Sequence, residues 1–234
     1  MITLGLIPAR GGSESIPRNN IAALDGGQLL DHTCEAALGS RLDRVLLNTD
    51  DPEIAAAGRA CGVEAPFLRP AELAQDDTPI LPVIQHTLDW LREQEEFVPD
   101  AIVLLQPTSP LRRAEDIDAA LEIMASGEAD TVVSVVEVPH QFNPVSVMRQ
   151  QEDGSLVPFL EGPQILRRQE KPRLLARNGP AVLVIRRETL ESGRLYGDRV
   201  LPYLMDRVTS LDIDEPLDLE LAEFFLSKRV RKEA

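Results

Sequence analysis

The sequence predicts an α/β fold: a doubly wound sheet with helices packed on both faces. Two observations support this prediction. Short apolar runs alternate with segments of helical periodicity, and the runs lack the polar alternation of half-exposed strands. Strands buried on both faces and separated by helices are typical of a three-layer αβα sheet with parallel strands. The length and the hydrophobic fraction of 43% fit a single domain over residues 1–234.

Apolar runs and turn signals locate the individual elements. Asp51 and Pro52 carry the signal for a helix start, and Gly62 carries the signal for its end. The predicted strands are 2–7, 44–48, 101–105, 131–136 and 181–185. The predicted helices are 52–60, 80–91, 117–124 and a last one that follows Pro216.

One segment, residues 139–177, breaks this alternation. It is rich in Pro, Gln, Arg and Glu, and the short extended pieces "FNPVSVMRQ" and "SLVPFL" flank the turn signal "EDG". Two extended pieces around a glycine turn are typical of a hairpin. We therefore predict a hairpin excursion from the main sheet.

The charge balance argues against some classes of partner. A formal net charge of −15 and a pI near 4.6 disfavour general binding to nucleic acid or anionic membranes, because such a surface repels polyanions. A small anionic substrate stays compatible, since local arginines and backbone N–H groups can reverse the potential inside one cleft. With 21 arginines against three lysines, the cations of such a cleft are expected to be arginines.

The cysteines and the lengths of the apolar runs predict the cellular location of the protein. The N-terminal apolar run is too short for a signal peptide, and no stretch approaches the roughly 20 apolar residues of a membrane span. Cys34 and Cys61 lack metal-ligand spacing and are interpreted as reduced thiols. These features predict a cytoplasmic protein without a membrane segment.

The loop "PARGGSESIPRNN", residues 8–20, directly follows the first strand. Gly11 and Gly12 allow tight turns that aim N–H groups inward, Ser13 adds a hydroxyl, and Arg10 and Arg18 bracket the loop with charge. The carboxyl end of the first strand is a favoured place for a nucleotide in an open α/β sheet. A plain strand–turn with solvated arginines is the alternative. The spacing matches neither a dinucleotide loop nor a P-loop.

A second polar segment, "LLQPTSPLR", ends a buried strand. It places Gln106, Thr108 and Ser109 between two prolines, which suits recognition of a base or a sugar. The alternative is a Ser/Thr turn that leads into the next helix.

A third segment, "SLDIDEP", carries two carboxylates. Asp212 and Asp214 point the same way on an extended chain, and such a pair beside a phosphate-binding loop suits Mg²⁺. The alternative for Asp214 is to cap the last helix.

The order of these segments adds a specific signal. "IPARGGS…IPRNNI", "NTDDPEIAAAG", "RPAELA", "LLQPTSPLR", "TVVSV", "RNGPAVLVI" and "DIDEPLDLELAE" together resemble the acylneuraminate cytidylyltransferase family, or CMP-sialic acid synthetases, from Ile7 to about Glu223. The resemblance implies a Rossmann-like nucleotidyltransferase domain with a small dimerisation region. It also implies a reaction with Mg²⁺ in which CTP and a 2-keto sugar acid, sialic acid or a related nonulosonic acid, give a CMP-sugar and pyrophosphate.

The resemblance also implies roles for individual residues. The excursion, residues 139–177, would pair two subunits into a homodimer and lend Arg167, Arg168 or Arg173 to the neighbour's sugar carboxylate; the alternative is a solvated, salt-bridged loop. Nucleotide binding would use Arg10, Gly11, Gly12, Ser13, Asn20, Arg69 and Asp76 or Asp77. Sugar binding would use Gln106, Thr108, Ser109 and Asn178. Catalysis would use Arg10, Arg18, Asp212 and Asp214, the last two as the metal pair.

The first loop departs from the family pattern "ARxxSKGxPxKN". Glu14 and Asn19 stand at the two lysine positions, and Arg18 is one residue away from the second, where it can supply the missing charge. The departure keeps three alternatives open: another nucleotide such as GTP, another acid (legionaminic, pseudaminic or 3-deoxy-octulosonic), and a degenerate homologue that binds nucleotide without turnover.

Overall fold

A mixed sheet forms the centre of the computed structural model, which describes residues 1–12, 19–162, 165 and 167–233. Its strands are β1 (Thr3–Pro8), β4 (Arg44–Asn48), β5 (Ala101–Leu104), β6 (Thr131–Glu137), β9 (Leu175–Arg177), β10 (Leu183–Arg186) and β11 (Val200–Leu204). Two small hairpins lie outside it: β2 (Ala23–Leu24) with β3 (Gly27–Gln28), and β7 (Met148–Gln150) with β8 (Leu156–Pro158). The helices are α1 (Leu29–Leu38), α2 (Pro52–Ala60), α3 (Ile80–Glu95), α4 (Ala114–Ala125), α5 (Arg187–Glu191) and α6 (Pro216–Glu233).

The strand order is β11-β6-β10-β5-β1-β4, and β9 pairs with the end of β6. β1 is parallel to β4 and β5, and β11 is parallel to β6. β10 is antiparallel to both of its neighbours, so the prediction of a parallel strand at 181–185 was wrong in direction. The reason is physical: helices bury both faces of β10 whatever its direction, so an unbroken apolar run does not report strand direction.

Two apolar clusters make the three predicted layers. On one face, Leu30 and Cys34 of α1, Ile54 of α2 and Ile117 of α4 pack against the sheet. On the opposite face, α3 and α5 cover the sheet, with Leu91 as one of the buried contacts. A third cluster joins α6 to the segment around the first small hairpin. The three-layer αβα architecture is therefore confirmed.

Local signals place the helices as expected. The Asp51 carboxylate accepts hydrogen bonds from the N–H groups of Glu53, at 2.7 Å, and Ile54, at 3.3 Å, so it caps α2 as predicted. Gly62 follows the end of α2 with φ of 92°, a conformation that glycine adopts without strain. Within the described residues, no helix combines the length and the apolar character needed to cross a bilayer.

The excursion contains the expected hairpin. β7 and β8 pair antiparallel around a turn that includes Gly154, whose φ is 84°. Large apolar side chains point into solvent here: Phe142 is 63% exposed, Leu156 is 61% exposed and Phe159 is 58% exposed. Exposed apolar side chains of this size are unusual on the surface of a monomer, and the dimerisation expected of this segment stays a prediction.

Candidate active site

Three loops meet at one edge of the sheet, because the parallel neighbours β1, β4 and β5 end there together. The Ala9 N–H donates to the Asn48 carbonyl at 3.0 Å, and the Leu105 N–H donates to the Leu6 carbonyl at 3.0 Å, so pairing continues to the start of each loop. The loops enclose a cleft of about 300 Å³. Its lining includes Arg10, Gly12, Asn20, Arg69, Asp76, Gln106 and Thr108. Site residues that were predicted in distant segments of the sequence therefore line one cleft.

Gly11 lies against the acidic start of α2. A Cβ at this position would sit 2.9 Å from the Asp51 carboxylate, so the close approach requires glycine. The Gly11 N–H donates to Asp50 at 3.0 Å, and the Asn20 side chain donates to the Arg10 carbonyl at 2.9 Å. The loop is therefore anchored by Asp50 and Asn20. The predicted contributors Ser13 and Arg18 lie outside the described residues.

Arg69 is a buried cation at the floor of the cleft. Its guanidinium donates to the side-chain oxygen of Asn48 and, at 2.8 Å, to the Asn48 carbonyl. Asn48 in turn donates to the Thr87 hydroxyl of α3 at 2.7 Å. Burial lowers the pKa of Arg69 to about 10, with Asp50 opposing and Arg10 adding to the shift, so the group stays charged at neutral pH. The structure therefore holds a fixed positive charge at the carboxyl end of β4.

Arg10 and Asp76 form an ion pair across the cleft. The Arg10 side chain is partly exposed, the Asp76 side chain is exposed, and both line the cavity. Asp77, the other candidate for nucleotide binding, is also exposed but lies outside the cavity lining. Of the two aspartates, the structure puts Asp76 in the cleft.

The second acidic centre is Asp212, beside the loop that follows β5. The Ile213 N–H donates to the Thr108 carbonyl at 2.8 Å, and the Ser109 hydroxyl donates to the Asp212 carboxylate at 3.4 Å. Ile213 itself is buried in the α6 cluster, which anchors the segment. Gly179 approaches from the other side, where a Cβ would sit 3.1 Å from Asp212.

Burial raises the pKa of the Asp212 carboxyl. Hydrogen bonds from Thr108 and Ser109 lower it, and the neighbouring carboxylates of Asp214 and Asp218 raise it further. Asp214 is exposed, and the backbone N–H groups of Asp214 and Glu215 donate to Asp218, at 3.1 and 2.9 Å. The ionised form of a partly buried carboxylate that lies near two other carboxylates is stabilised by a nearby cation.

The residues present fit a magnesium ion that also takes substrate oxygens. No group of three or more His, Cys, Asp or Glu side chains is arranged for a metal in the part of the chain that the structure describes. Mg²⁺ in phosphate-transfer sites uses one or two carboxylates together with substrate phosphates, so a pair such as Asp212 and Asp214 meets that requirement. The hydroxyl groups of Thr108 and Ser109 orient Asp212.

Asn178 is buried behind this centre. Its side-chain oxygen accepts a hydrogen bond from the Ser134 hydroxyl at 2.6 Å, and its amide nitrogen donates to the Ser210 hydroxyl at 2.8 Å and to the Met205 sulfur at 3.3 Å. These contacts tie the turn before β10 to β6 and to the segment before α6. Sugar binding by Asn178 stays a prediction.

The arginines of the excursion line a second cleft of about 600 Å³. Arg168 and Arg173 contribute to its lining, together with Lys171, and Arg173 donates to Glu137 at 3.0 Å. Arg167 pairs with Glu170 at 3.4 Å. Among the residues that the structure describes, this cleft shares no lining residue with the cleft of Arg10 and Arg69. The role of these arginines at a neighbour's site stays a prediction.

Comparison with known proteins decides the family. The sequence model of the family described as cytidylyltransferase matches residues 4–230. The chain belongs to the cytidylyltransferase family. It is therefore a nucleotidyltransferase, and the family indicated by the sequence segments is confirmed.

Relatives of this cytidylyltransferase act on related acids according to their names. It is 31% identical over 230 residues to the N-acylneuraminate cytidylyltransferase of Escherichia coli O18:K1:H7, covering 98% of this chain and 53% of that protein. It is 33% identical over 227 residues to a CMP-N,N'-diacetyllegionaminic acid synthase of Legionella pneumophila, covering 95% of each chain. The chain thus spans about half the length of the first relative and nearly all of the second.

A solved structure shares the fold. The CMP:2-keto-3-deoxy-manno-octonic acid synthetase complexed with CTP superposes with a TM-score of 0.72, covering 98% of this chain and 100% of that chain at 18% identity. At this identity the likeness establishes the nucleotidyltransferase fold.

Sequence reasoning missed one buried residue of this cytidylyltransferase, Arg112. It ends the "LLQPTSPLR" segment, yet it is 2% exposed and contacts the carbonyl groups of two site loops. The available signal was an arginine that directly follows the buried Leu111 and lies two residues before the start of α4. An arginine alone does not report whether it points inward, so the signal is weak.

Proposed function

We propose that this cytidylyltransferase transfers CMP from CTP to a 2-keto sugar acid, sialic acid or a related nonulosonic acid, and releases pyrophosphate. The observation that carries the proposal is the pairing of two centres at one sheet edge. Arg10 and Arg69 supply positive charge in one cleft, and Asp212 and Asp214 supply negative charge beside the adjoining Thr108 loop. A triphosphate needs the first centre, and a cation that neutralises it needs the second.

The names of the relatives support this substrate class. Beside the sialic and legionaminic acid proteins, a pseudaminic acid cytidylyltransferase of Campylobacter jejuni is 28% identical over 224 residues. The solved neighbour holds CTP and is named for another 2-keto acid. Each of these names joins a cytidine nucleotide to an acidic sugar, so CTP is the proposed donor and the acid is the partner that varies.

The reaction is written as an in-line displacement. The anomeric hydroxyl oxygen of the sugar attacks the α-phosphorus of CTP, the bond from that phosphorus to the bridging oxygen breaks, and pyrophosphate leaves. The hydroxyl proton passes to solvent. Arg10 and Arg69 position the triphosphate, Gln106 and Thr108 face the shared cleft where the sugar approaches, and Asn20 anchors the loop. Catalysis is mainly positioning and charge neutralisation.

Asp212 and Asp214 are the residues that would hold Mg²⁺, which when bound would neutralise charge on the phosphate oxygens. The role of Asp212 follows from its position between the Thr108–Ser109 loop and Gly179. Arg18 is proposed to replace the charge of the family's second loop lysine.

Asp76→Asn is expected to lower KM for CTP by up to about fivefold. The Asp76 carboxylate holds Arg10 in the free protein, and triphosphate binding must break this ion pair, but an exposed pair is weak. The measurement is steady-state pyrophosphate release at varied CTP. Asp77→Asn is the matched control, since Asp77 lies outside the cleft lining. A raised KM in Asp76→Asn would show instead that Asp76 contacts the nucleotide.

We also propose a homodimer formed through the excursion, residues 139–177. The exposed apolar surface of this segment supports the proposal, because that surface would stay in contact with water in a monomer. The residues of this surface are Phe142, Val147, Met148, Leu156, Phe159 and Leu160. Dimerisation would also bring Arg168 and Arg173 to the neighbour's sugar site, where a guanidinium binds a carboxylate with two hydrogen bonds.

The double variant Leu156→Glu, Phe159→Glu is expected to convert the dimer into a monomer, since two charges cannot be buried unpaired in an apolar interface. Light scattering after size exclusion should report a fall from twice the chain mass to 25.8 kDa. Leu217→Glu, an equally exposed leucine on α6, is the control and should leave the mass unchanged. A monomeric unmodified protein at micromolar concentration would contradict the proposal.

A cytoplasmic location is proposed from the thiols. Cys34 and Cys61 are both free cysteines, and Cys61 donates to Asp31 at 3.0 Å. Burial raises the pKa of both thiols, that of Cys61 to about 11, so they stay protonated and unreactive. Adjacent reduced thiols suit a reducing compartment. Fractionation of the source cells tests this, and recovery outside the cytoplasm would contradict it.

The function is tested by pyrophosphate release from the purified protein with Mg²⁺, over a grid of four nucleoside triphosphates and several 2-keto sugar acids. We expect release only with CTP and with one acid or one group of related acids. Omission of either substrate should abolish the signal. Release with GTP would change the nucleotide assignment. If no combination of substrates released pyrophosphate while CTP still bound, the result would support a degenerate homologue that binds nucleotide without turnover, in place of the proposed enzyme.

A further inference from the structure

We propose that Arg112 is a positioning residue for the transfer reaction, because its guanidinium holds the loop after β5 and the turn before β10 in one fixed arrangement. The inference deepens the proposed function, on which it rests. Both connected segments reach the site: the first carries Gln106 and Thr108, and the second follows Asn178 and Gly179.

The contacts of Arg112 are directional. Nη1 donates to the Gln106 carbonyl at 3.1 Å and to the Ala181 carbonyl at 2.7 Å, and Nη2 donates to the Thr33 hydroxyl of α1 at 2.7 Å. β5 and β10 are adjacent strands, so a single side chain spans the gap between the two loops at their ends. Thr33 is buried in α1 and sets the position of the guanidinium from the helix layer.

The hydrogen bonds of Arg112 are not those of a structural salt bridge. Its three acceptors are neutral groups, and among the described residues Nε finds no hydrogen-bond acceptor. Asp116 and Asp212 act on Arg112 only through space. Asp116 instead accepts from the Arg113 N–H at 2.8 Å and from the Tyr203 hydroxyl at 2.8 Å.

A buried cation without a hydrogen-bonded anion costs stability. An apolar side chain of similar volume would fill the same space at less cost, but it would leave the Gln106 and Ala181 carbonyls without their donor. Lysine cannot replace the contact either, since one ammonium does not reproduce a planar fork that reaches three acceptors in fixed directions. The arginine is therefore suited to fixing geometry.

Arg112→Lys is expected to lower kcat for pyrophosphate release by about 10- to 100-fold, because small displacements of substrate-positioning groups have effects of this size. KM and Kd for CTP should stay within about twofold, since Arg10 and Arg69 are untouched. The matched control is Arg113→Lys, the same change at the exposed neighbouring arginine, with kcat within twofold of the unmodified protein. Rates are measured at a temperature at which circular dichroism shows the variant to be folded, so that a loss of stability alone does not lower them.

Thr33→Val serves as a second variant if Arg112→Lys does not fold. It removes the helix-side acceptor and leaves the arginine in place, and kcat should fall about threefold or more at unchanged KM for CTP. A kcat within twofold of the unmodified protein in either folded variant, or an equal loss in Arg113→Lys, would overturn the inference.

Hydrogen exchange separates this inference from the proposed function. Backbone amides in 105–109 and 179–182 should exchange at least about threefold faster in Arg112→Lys than in Arg113→Lys, with or without turnover. Unchanged exchange in both segments would overturn the positioning role. If the unmodified protein releases no pyrophosphate while exchange responds as expected, the proposed function fails and the coupling of the two loops by Arg112 stands.

Discussion

Asp212→Asn is expected to reduce pyrophosphate release with Mg²⁺ and CTP by about 10²- to 10³-fold, the usual effect of removing one charge-stabilising group. Asp212 is held between the Thr108–Ser109 loop and Gly179, so an asparagine fits the space and removes only the charge. Turnover is measured at several Mg²⁺ concentrations, and the variant should have lost the dependence. Asp198→Asn, an exposed aspartate paired with Arg194, is the control. Unchanged turnover would exclude Asp212 from the metal pair.

The same variant is expected to be more stable at neutral pH. Burial and neighbouring carboxylates raise the pKa of Asp212, so its ionised form is less favourable in the native protein than in the unfolded chain. The contribution of Asp212 to the free energy of unfolding is therefore most favourable below the pKa that the group has in the unfolded chain. It becomes less favourable as the pH rises through the raised pKa that the group has in the folded protein. Asp212→Asn should raise Tm at pH 7 and not at pH 3. A lower Tm at pH 7 would contradict the direction of the pKa shift.

Arg10→Met is expected to lower kcat/KM for CTP by about 10²-fold, because it removes a forked cation from the cleft where the triphosphate is proposed to bind. The Arg10 side chain is partly exposed and lies outside the apolar clusters, so the fold should tolerate methionine. Arg10→Lys should retain part of the activity, since it keeps the charge without the fork.

The matched control for Arg10→Met is Arg199→Met, which removes an exposed arginine paired with Glu128 at the opposite end of β11 from the site segments. CTP affinity is measured by calorimetry beside the kinetics. Equal kcat/KM in Arg10→Met and the unmodified protein would show that the buried Arg69 alone carries the nucleotide charge.

The strands and the site loops could be predicted from the sequence because their signals are local. Unbroken apolar runs mark β1, β4, β5 and β6, since a helix covers each face of the sheet. β11 was not predicted: its run VLPYL is apolar but contains Pro202, which argues against a central strand and is tolerated on an edge strand such as this one. The direction of β10 was predicted wrongly for a related reason: burial depends on the layers, and strand direction depends on the path of the chain.

Residue types and spacing by themselves indicated the polar loops of this protein, the acidic pair at 212 and 214, and the cytidylyltransferase family. The tertiary structure alone decided which side chains are turned inward and what they contact. In the folded protein Asp76, rather than Asp77, pairs with Arg10. The side-chain amide of Asn178 is hydrogen-bonded within the protein, and Arg112 is buried between two loops. The physical reason is that each of these contacts depends on the distance between segments that lie 32 to 69 residues apart in the sequence, which no local pattern encodes. Hydrophobic periodicity, in contrast, is a property of each segment alone.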